Sequence, residues 1–210
     1  MATTAPTSPG LLTGKRIGIL LENDFVEEEI AYYRRRFREE GAEVVLLTRL
    51  WGHPELTFTG HEQRAPLTVD GDLESLGYDE LARFHALVVP AGMVADRLRY
   101  TENVDRHAPA VELMRRAFRI PRLLKAFSCH GLWLVSAVPE LVRGRPVTCH
   151  NNLVGDVRNM GAHYRDQDVV VDTDLITSRT VDHCHLLARA VIDRLGAPRA
   201  LPSGQVSDGR

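Results

Sequence analysis

Short apolar runs alternate along the chain with longer stretches in which apolar residues return every three or four positions. Residues 15–21 (KRIGILL), 43–48 (EVVLLT), 85–90 (HALVVP) and the run into Cys129 are short and almost continuously apolar. Such runs suit strands buried on both faces of a sheet. Between the first two, residues 27–40 place Ile30, Tyr33 and Phe37 on one stripe and Arg34, Arg35 and Arg38 elsewhere. That spacing predicts a helix, and Gly41 ends it as a C-terminal glycine commonly does. Residues 103–118 predict a second amphipathic helix, and helical spacing continues after Cys129 to about residue 137. Residues 146–149 predict a strand, 153–160 a helix, 169–172 with 175–178 a hairpin, and 182–195 a closing helix. Residues 51–67 are irregular, with room for a small hairpin around Gly60.

Strands that alternate with helices imply a mostly parallel sheet covered on both sides. Right-handed crossovers then give a doubly wound, three-layer α/β sandwich. Ligands in such sheets bind beyond the carboxyl ends of the strands, and Glu22, Gly92 and Cys129 all fall at such ends. No internal repeat is visible. A single domain over 14–197 is expected, with flexible tails at 1–13 and 198–210.

Composition narrows the function classes. The formal net charge is −2, so no basic surface points to nucleic acid or to an anionic membrane. No apolar run approaches the length of a membrane span, and the N-terminus lacks the basic start and apolar stretch of a signal peptide. Three irregularly spaced cysteines do not make a disulfide framework. A cytoplasmic protein with reduced thiols is expected.

Cys129 carries the most chemistry. It lies where a buried strand turns into a predicted helix, at the end where unpaired backbone N–H groups stabilise a thiolate. His130 follows as a candidate proton carrier, and Gly131 permits close approach. A lone cysteine is usually an inert core thiol, but this turn and the following His-Gly favour a nucleophile. Thr148-Cys149-His150-Asn151-Asn152 ends another strand on the same side, which makes His150 a second acid/base candidate; Asn151 or Asn152 would also cap the next helix. His183-Cys184-His185 lacks zinc spacing, because adjacent helical residues point apart. His183 remains a candidate pocket residue, and no metal is expected. Arg34-Arg35-Arg36 reads as a solvated helix face.

The elbow Ala126-Phe127-Ser128-Cys129-His130-Gly131 resembles the A-x-x-C-H-G elbow of the DJ-1/ThiJ/PfpI superfamily, with its class I glutamine amidotransferase-like (flavodoxin-like) fold. Phe25 with Glu29, Glu40-Gly41-Ala42-Glu43-Val44, Pro90-Ala91-Gly92, Asn159-Met160-Gly161-Ala162 and Thr177-Ser178-Arg179 keep the order of the superfamily's motifs. The resemblance implies a cofactor-independent cysteine enzyme acting on a small electrophile by hydrolase-, hydratase- or lyase-like chemistry. Cys129 would be the nucleophile, with backbone N–H groups near Gly92 and His130 as oxyanion donors. It also implies a homodimer or larger homo-oligomer, in which Asp96 would orient the catalytic His130 across the subunit interface. A redox or stress-protective protein without turnover, or a protease or deglycase, are the alternatives it leaves. One departure is visible. The superfamily's glutamate, in a pattern like F-E-D-x-E, aligns with Val26. Glu22 or Glu27 would have to replace it, and the substitution points to specialised chemistry, such as tailoring of a secondary metabolite.

Overall fold

The computed structural model describes residues 10–197. Residues 1–9 and 198–210, expected as tails, lie outside the described residues. In chain order the elements are β1 (Arg16–Leu20), α1 (Glu27–Glu39), β2 (Glu43–Thr48), β3 (Leu56–Thr59), β4 (Pro66–Val69), β5 (Gly71–Asp72), α2 (Tyr78–Leu81), β6 (Ala86–Val89), α3 (Val94–Leu98) and α4 (Pro109–Phe118). Then follow β7 (Leu124–Ser128), β8 (Pro146–Val147), α5 (Val154–Asn159), β9 (His163–Tyr164), β10 (Val169–Asp172), β11 (Leu175–Ser178) and α6 (Cys184–Gly196).

Seven strands form the main sheet in the order β10-β11-β7-β6-β1-β2-β5, and only the β10–β11 pair is antiparallel. This is the doubly wound α/β sandwich that the alternation predicts. The two central strands β6 and β7 are buried at every position, which is why their sequences read as almost continuous apolar runs, broken in β7 by Lys125 and Ser128. The helices pack in two groups, α1 with α6 and α3 with α4. β3 and β4 make a separate antiparallel hairpin, in which Thr59 pairs with Pro66 and the loop encloses Gly60.

The differences from the sequence pattern have local causes. Residues 10–13 do not extend a tail: Leu12 is fully buried and donates its N–H to the Glu40 carbonyl at 2.8 Å. α4 starts at Pro109 rather than near residue 103, with proline in its first turn, where the missing N–H costs nothing. The strand expected over 146–149 stops at Val147. α3 has five residues, too short to leave a periodic pattern. The helix expected after Cys129 is a 3-10 helix of five residues, Gly131–Val135.

Candidate active site

β7 delivers the chain to Cys129, whose φ of 55° lies in the left-handed region. A non-glycine residue is held there at a cost of order 1–3 kcal/mol, so the surroundings must impose it. Two backbone hydrogen bonds do so. Cys129 N–H donates to the Ser178 carbonyl at 3.0 Å, and the Cys129 carbonyl accepts the His150 N–H at 3.2 Å. Gly131 completes the turn: a Cβ there would sit 2.7 Å from the Val89 carbonyl oxygen, so only glycine lets the elbow press against β6. The sulfur is thereby fixed beyond the carboxyl end of β7.

The thiol is not acidic, contrary to the expectation from a helix N-terminus. Cys129 is 8% exposed. Burial, and then the charge of Glu29, push its pKa up to about 12, while the amides of His130 and Val181 pull weakly the other way. A five-residue 3-10 helix also offers a smaller dipole than the expected α-helix. A proton acceptor is close, because His130 Nδ1 lies 3.8 Å from the sulfur. Burial, and then the neighbouring His150, lower the His130 pKa, so this imidazole is neutral at pH 7. Its ring stacks on Trp133 at 5.1 Å and lies 4.7 Å from the His150 ring. His150 Nδ1 accepts the Asn152 N–H at 3.2 Å. That bond caps the following turn and leaves Nε2 as the ring nitrogen that carries a proton. His150 therefore serves the turn and reaches the site at once.

Val26 supplies no carboxyl, but a buried one lies one turn further along α1, at the last glutamate of the same motif. Glu29 is three residues on, on the same helix face, and fully buried. It accepts the Tyr33 hydroxyl at 2.9 Å and the Ala91 N–H at 2.8 Å. Burial raises its pKa to about 7, against the pull of those hydrogen bonds. Its charge is felt at the sulfur. Glu29 also ties α1 to the Ala91-Gly92 turn. Gly92 has φ 78°, and a Cβ there would lie 2.5 Å from the Asp24 carbonyl oxygen and 3.5 Å from a Val26 methyl. Among the described residues the Gly92 and His130 amides donate to no backbone oxygen, as oxyanion donors must. The signal for Glu29 is in the sequence: 29, 33 and 37 share the buried stripe, and a carboxyl on an apolar stripe calls for a partner.

The other candidates are placed elsewhere. Glu27 turns to the β3–β4 loop, where it accepts the N–H groups of Glu62 (3.1 Å) and Gln63 (2.9 Å). It holds that loop and does not replace the family glutamate. Glu22 accepts its neighbour Asn23 N–H at 2.8 Å, and burial raises its pKa. With Trp51, Asp96, Arg97 and Tyr100 it lines a cavity of about 590 Å³. Asp96 is exposed on α3. His183 is bound to Thr180 Oγ1 at 2.9 Å and lies 3.3 Å from Asp168, so it braces the loop before α6 instead of joining the histidines at the thiol. A larger cavity, about 730 Å³, opens at the amino ends of the strands beside Lys15, His85 and Asp174, away from the nucleophile. No helix among the described residues is long and apolar enough to cross a membrane.

Known proteins resemble this chain along most of its length. A family model described as "DJ-1/PfpI family" matches residues 15–194. The chain is 32% identical over 185 residues to "Protein/nucleic acid deglycase 2" of Escherichia coli, covering 87% of this chain and 99% of that protein. It is 31% identical over 164 residues to "Deglycase PfpI" of Pyrococcus furiosus, covering 78% and 89%. Among solved structures, a two-domain protein from Anabaena variabilis with DJ-1/ThiJ/PfpI-like and ferritin-like domains superposes with TM-score 0.76 at 28% identity, covering 93% of this chain and 52% of that one, about half its length. Drosophila melanogaster DJ-1beta superposes with TM-score 0.72 at 19% identity, covering 89% and 92%.

Proposed function

The chain belongs to the DJ-1/PfpI family, and we propose that it is a cofactor-independent enzyme in which Cys129 adds to the carbonyl carbon of a small electrophile or of the adduct that electrophile leaves on an amine. The observation that carries this reading is the placement of His130 Nδ1 3.8 Å from a strained, elbow-borne sulfur. A thiol with a pKa near 12 is protonated at neutral pH, so the reaction begins from the neutral Cys–His pair and not from a standing thiolate. His130 accepts the thiol proton as sulfur bonds to carbon, and the carbonyl π pair moves to oxygen. The Gly92 and His130 amides hold that oxyanion. His130 then returns that proton to the oxygen or to the leaving amine, while His150 Nε2 holds the same group by a hydrogen bond; water attacks the carbon, the carbon–sulfur bond breaks, and one water proton passes through His130 to the departing Cys129 sulfur. Glu29 holds the Ala91-Gly92 turn in place from below.

Two relatives carry the word deglycase in their names. With Cys129 only 8% exposed, that supports carbonyl adducts of amines as the substrate class over long peptides. The raised thiol pKa disfavours the sensor alternative, since peroxide oxidation needs thiolate. The homo-oligomer stays part of the proposal: Asp96 is exposed on α3 and available to a second subunit.

The test is incubation with methylglyoxal and with a methylglyoxal-adducted lysine peptide, read by mass spectrometry. Wild type is expected to consume one or both, Cys129→Ala to lose at least a hundredfold in rate, and His130→Ala at least tenfold. Turnover retained in Cys129→Ala would place the chemistry elsewhere.

A further inference from the structure

We propose that Cys129, His130 and His150 form a three-donor site for a thiophilic divalent cation of the zinc type, open at a fourth position, and that its occupancy silences the nucleophile. One ligand atom from each residue lies within 4.8 Å of the other two. Tetrahedral zinc with bonds of about 2.3 Å to sulfur and about 2.0 Å to nitrogen sets ligand atoms roughly 3.5 Å apart. The 3.8 Å from Sγ to His130 Nδ1 is already close to that edge. His150 has the longer way to come, by tilting a half-buried ring that already lies 4.7 Å from the His130 ring.

The donor set is a thiol and two imidazoles, the ligands that borderline cations prefer to oxygen. Glu29 and Asp182 both lie near enough to act electrostatically on the sulfur. His183 does not take part, because Thr180 and Asp168 hold it. The sequence hides the site, since ligands at 129, 130 and 150 match no zinc spacing; the elbow and the β8 strand end bring them together.

Binding balances simply. The cation replaces the Cys129 proton, which leaves to solvent, and a metal–sulfur bond forms. If His150 binds through Nε2, its proton moves to Nδ1 and the 3.2 Å contact from the Asn152 N–H breaks. The bound thiolate has lost the lone pair that attacks substrate, and His130 has lost the nitrogen that accepts a proton. The silencing rests on the reading of Cys129 as nucleophile; the binding does not.

The experiment adds Co²⁺ and Zn²⁺ separately to the reduced, metal-free full chain. Expected are a 1:1 complex, a sulfur-to-cobalt charge-transfer band in the near ultraviolet, and protection of Cys129 from iodoacetamide by Zn²⁺. The band should vanish in Cys129→Ser. Zn²⁺ affinity should fall tenfold or more in both His130→Ala and His150→Ala, two variants whose folding is checked by circular dichroism. In wild type alone, Zn²⁺ should shift the Asn152 amide resonance. No band, a band that survives Cys129→Ser, or undiminished affinity in both histidine variants would overturn the site. Metal binding without turnover on any substrate would overturn the enzyme reading alone. Turnover that ignores Zn²⁺ and shows no band would overturn the metal site alone.

Discussion

At the scale of single residues, the site turns on two buried acids whose protons are held tightly. Cys129, with a pKa near 12, should alkylate slowly at pH 7 and faster by close to tenfold per pH unit up to pH 10, with no plateau. Iodoacetamide kinetics on the native protein, followed by peptide mass mapping, will show this. A plateau near pH 8 would mean that burial does not govern the sulfur. Glu29 makes a second, independent prediction. Its pKa rises from 4.5 to about 7 on folding. Between those values the folded chain holds a proton that the unfolded chain has released, so stability falls as pH rises through this window. The loss is complete above pH 7 and amounts to about 3 kcal/mol. Glu29→Gln lacks this dependence. The difference in urea unfolding free energy, wild type minus variant, should therefore drop by that order between pH 4.5 and 8. A constant difference would show that Glu29 ionises as freely in the fold as in the unfolded chain.

At the scale of elements, the elbow depends on how tightly the turn after β7 approaches β6. A methyl on Gly131 would meet a backbone carbonyl at 2.7 Å, and that oxygen belongs to a central strand that cannot yield. Gly131→Ala should cost about 1–3 kcal/mol and lower the rate of Cys129 chemistry more than a neutral surface change of equal stability cost. Thermal unfolding and the methylglyoxal assay together separate the two effects. Element type was readable from the sequence wherever burial wrote a clear period: the central strands, the 30-33-37 stripe of α1, the β10–β11 hairpin. The elbow itself was readable because Cys-His-Gly follows an apolar run. What escaped was decided by direction and not by period. Glu27, Glu28 and Glu29 are adjacent in sequence, yet one holds the β3–β4 loop, one faces solvent and one is buried against the Ala91-Gly92 turn. The residues after Cys129 keep helical spacing, but the short stretch coils more tightly as a 3-10 helix. His183 was the right residue type at a nearby loop, and its hydrogen bonds to Thr180 and Asp168 take it away from the thiol.

At the scale of the whole molecule, β7 joins two halves of the chain, with β6 on one side and β11 on the other. Its carboxyl end presents the thiol, and its amino end holds the other costly group. Lys125 is fully buried, pairs with Asp174 and lies over the Phe118 ring. Arg145 reaches the same carboxylate at 2.7 Å and Asp172 at 2.6 Å, so this cluster links β7 and β11 to the segment before β8. Burial lowers the Lys125 pKa, while Asp174 works to restore it. Asp174 itself falls below the ordinary carboxylate value because Lys125 and Arg145 outweigh the effect of its own burial. A depressed carboxyl pKa adds stability above the unfolded value of 3.8, and that stability is lost as pH falls through the folded value. Removing one partner strands the other charge, so Asp174→Asn should cost roughly 3–5 kcal/mol at pH 7. Lys125→Met removes the buried cation and fills the same space, and should cost much less. In the double variant, the loss from Asp174→Asn should shrink to near that of Lys125→Met alone. Urea unfolding of the four proteins closes the cycle. Losses that simply add would show that the pair does not act as a unit, and that the β7–β11 junction is held by packing alone.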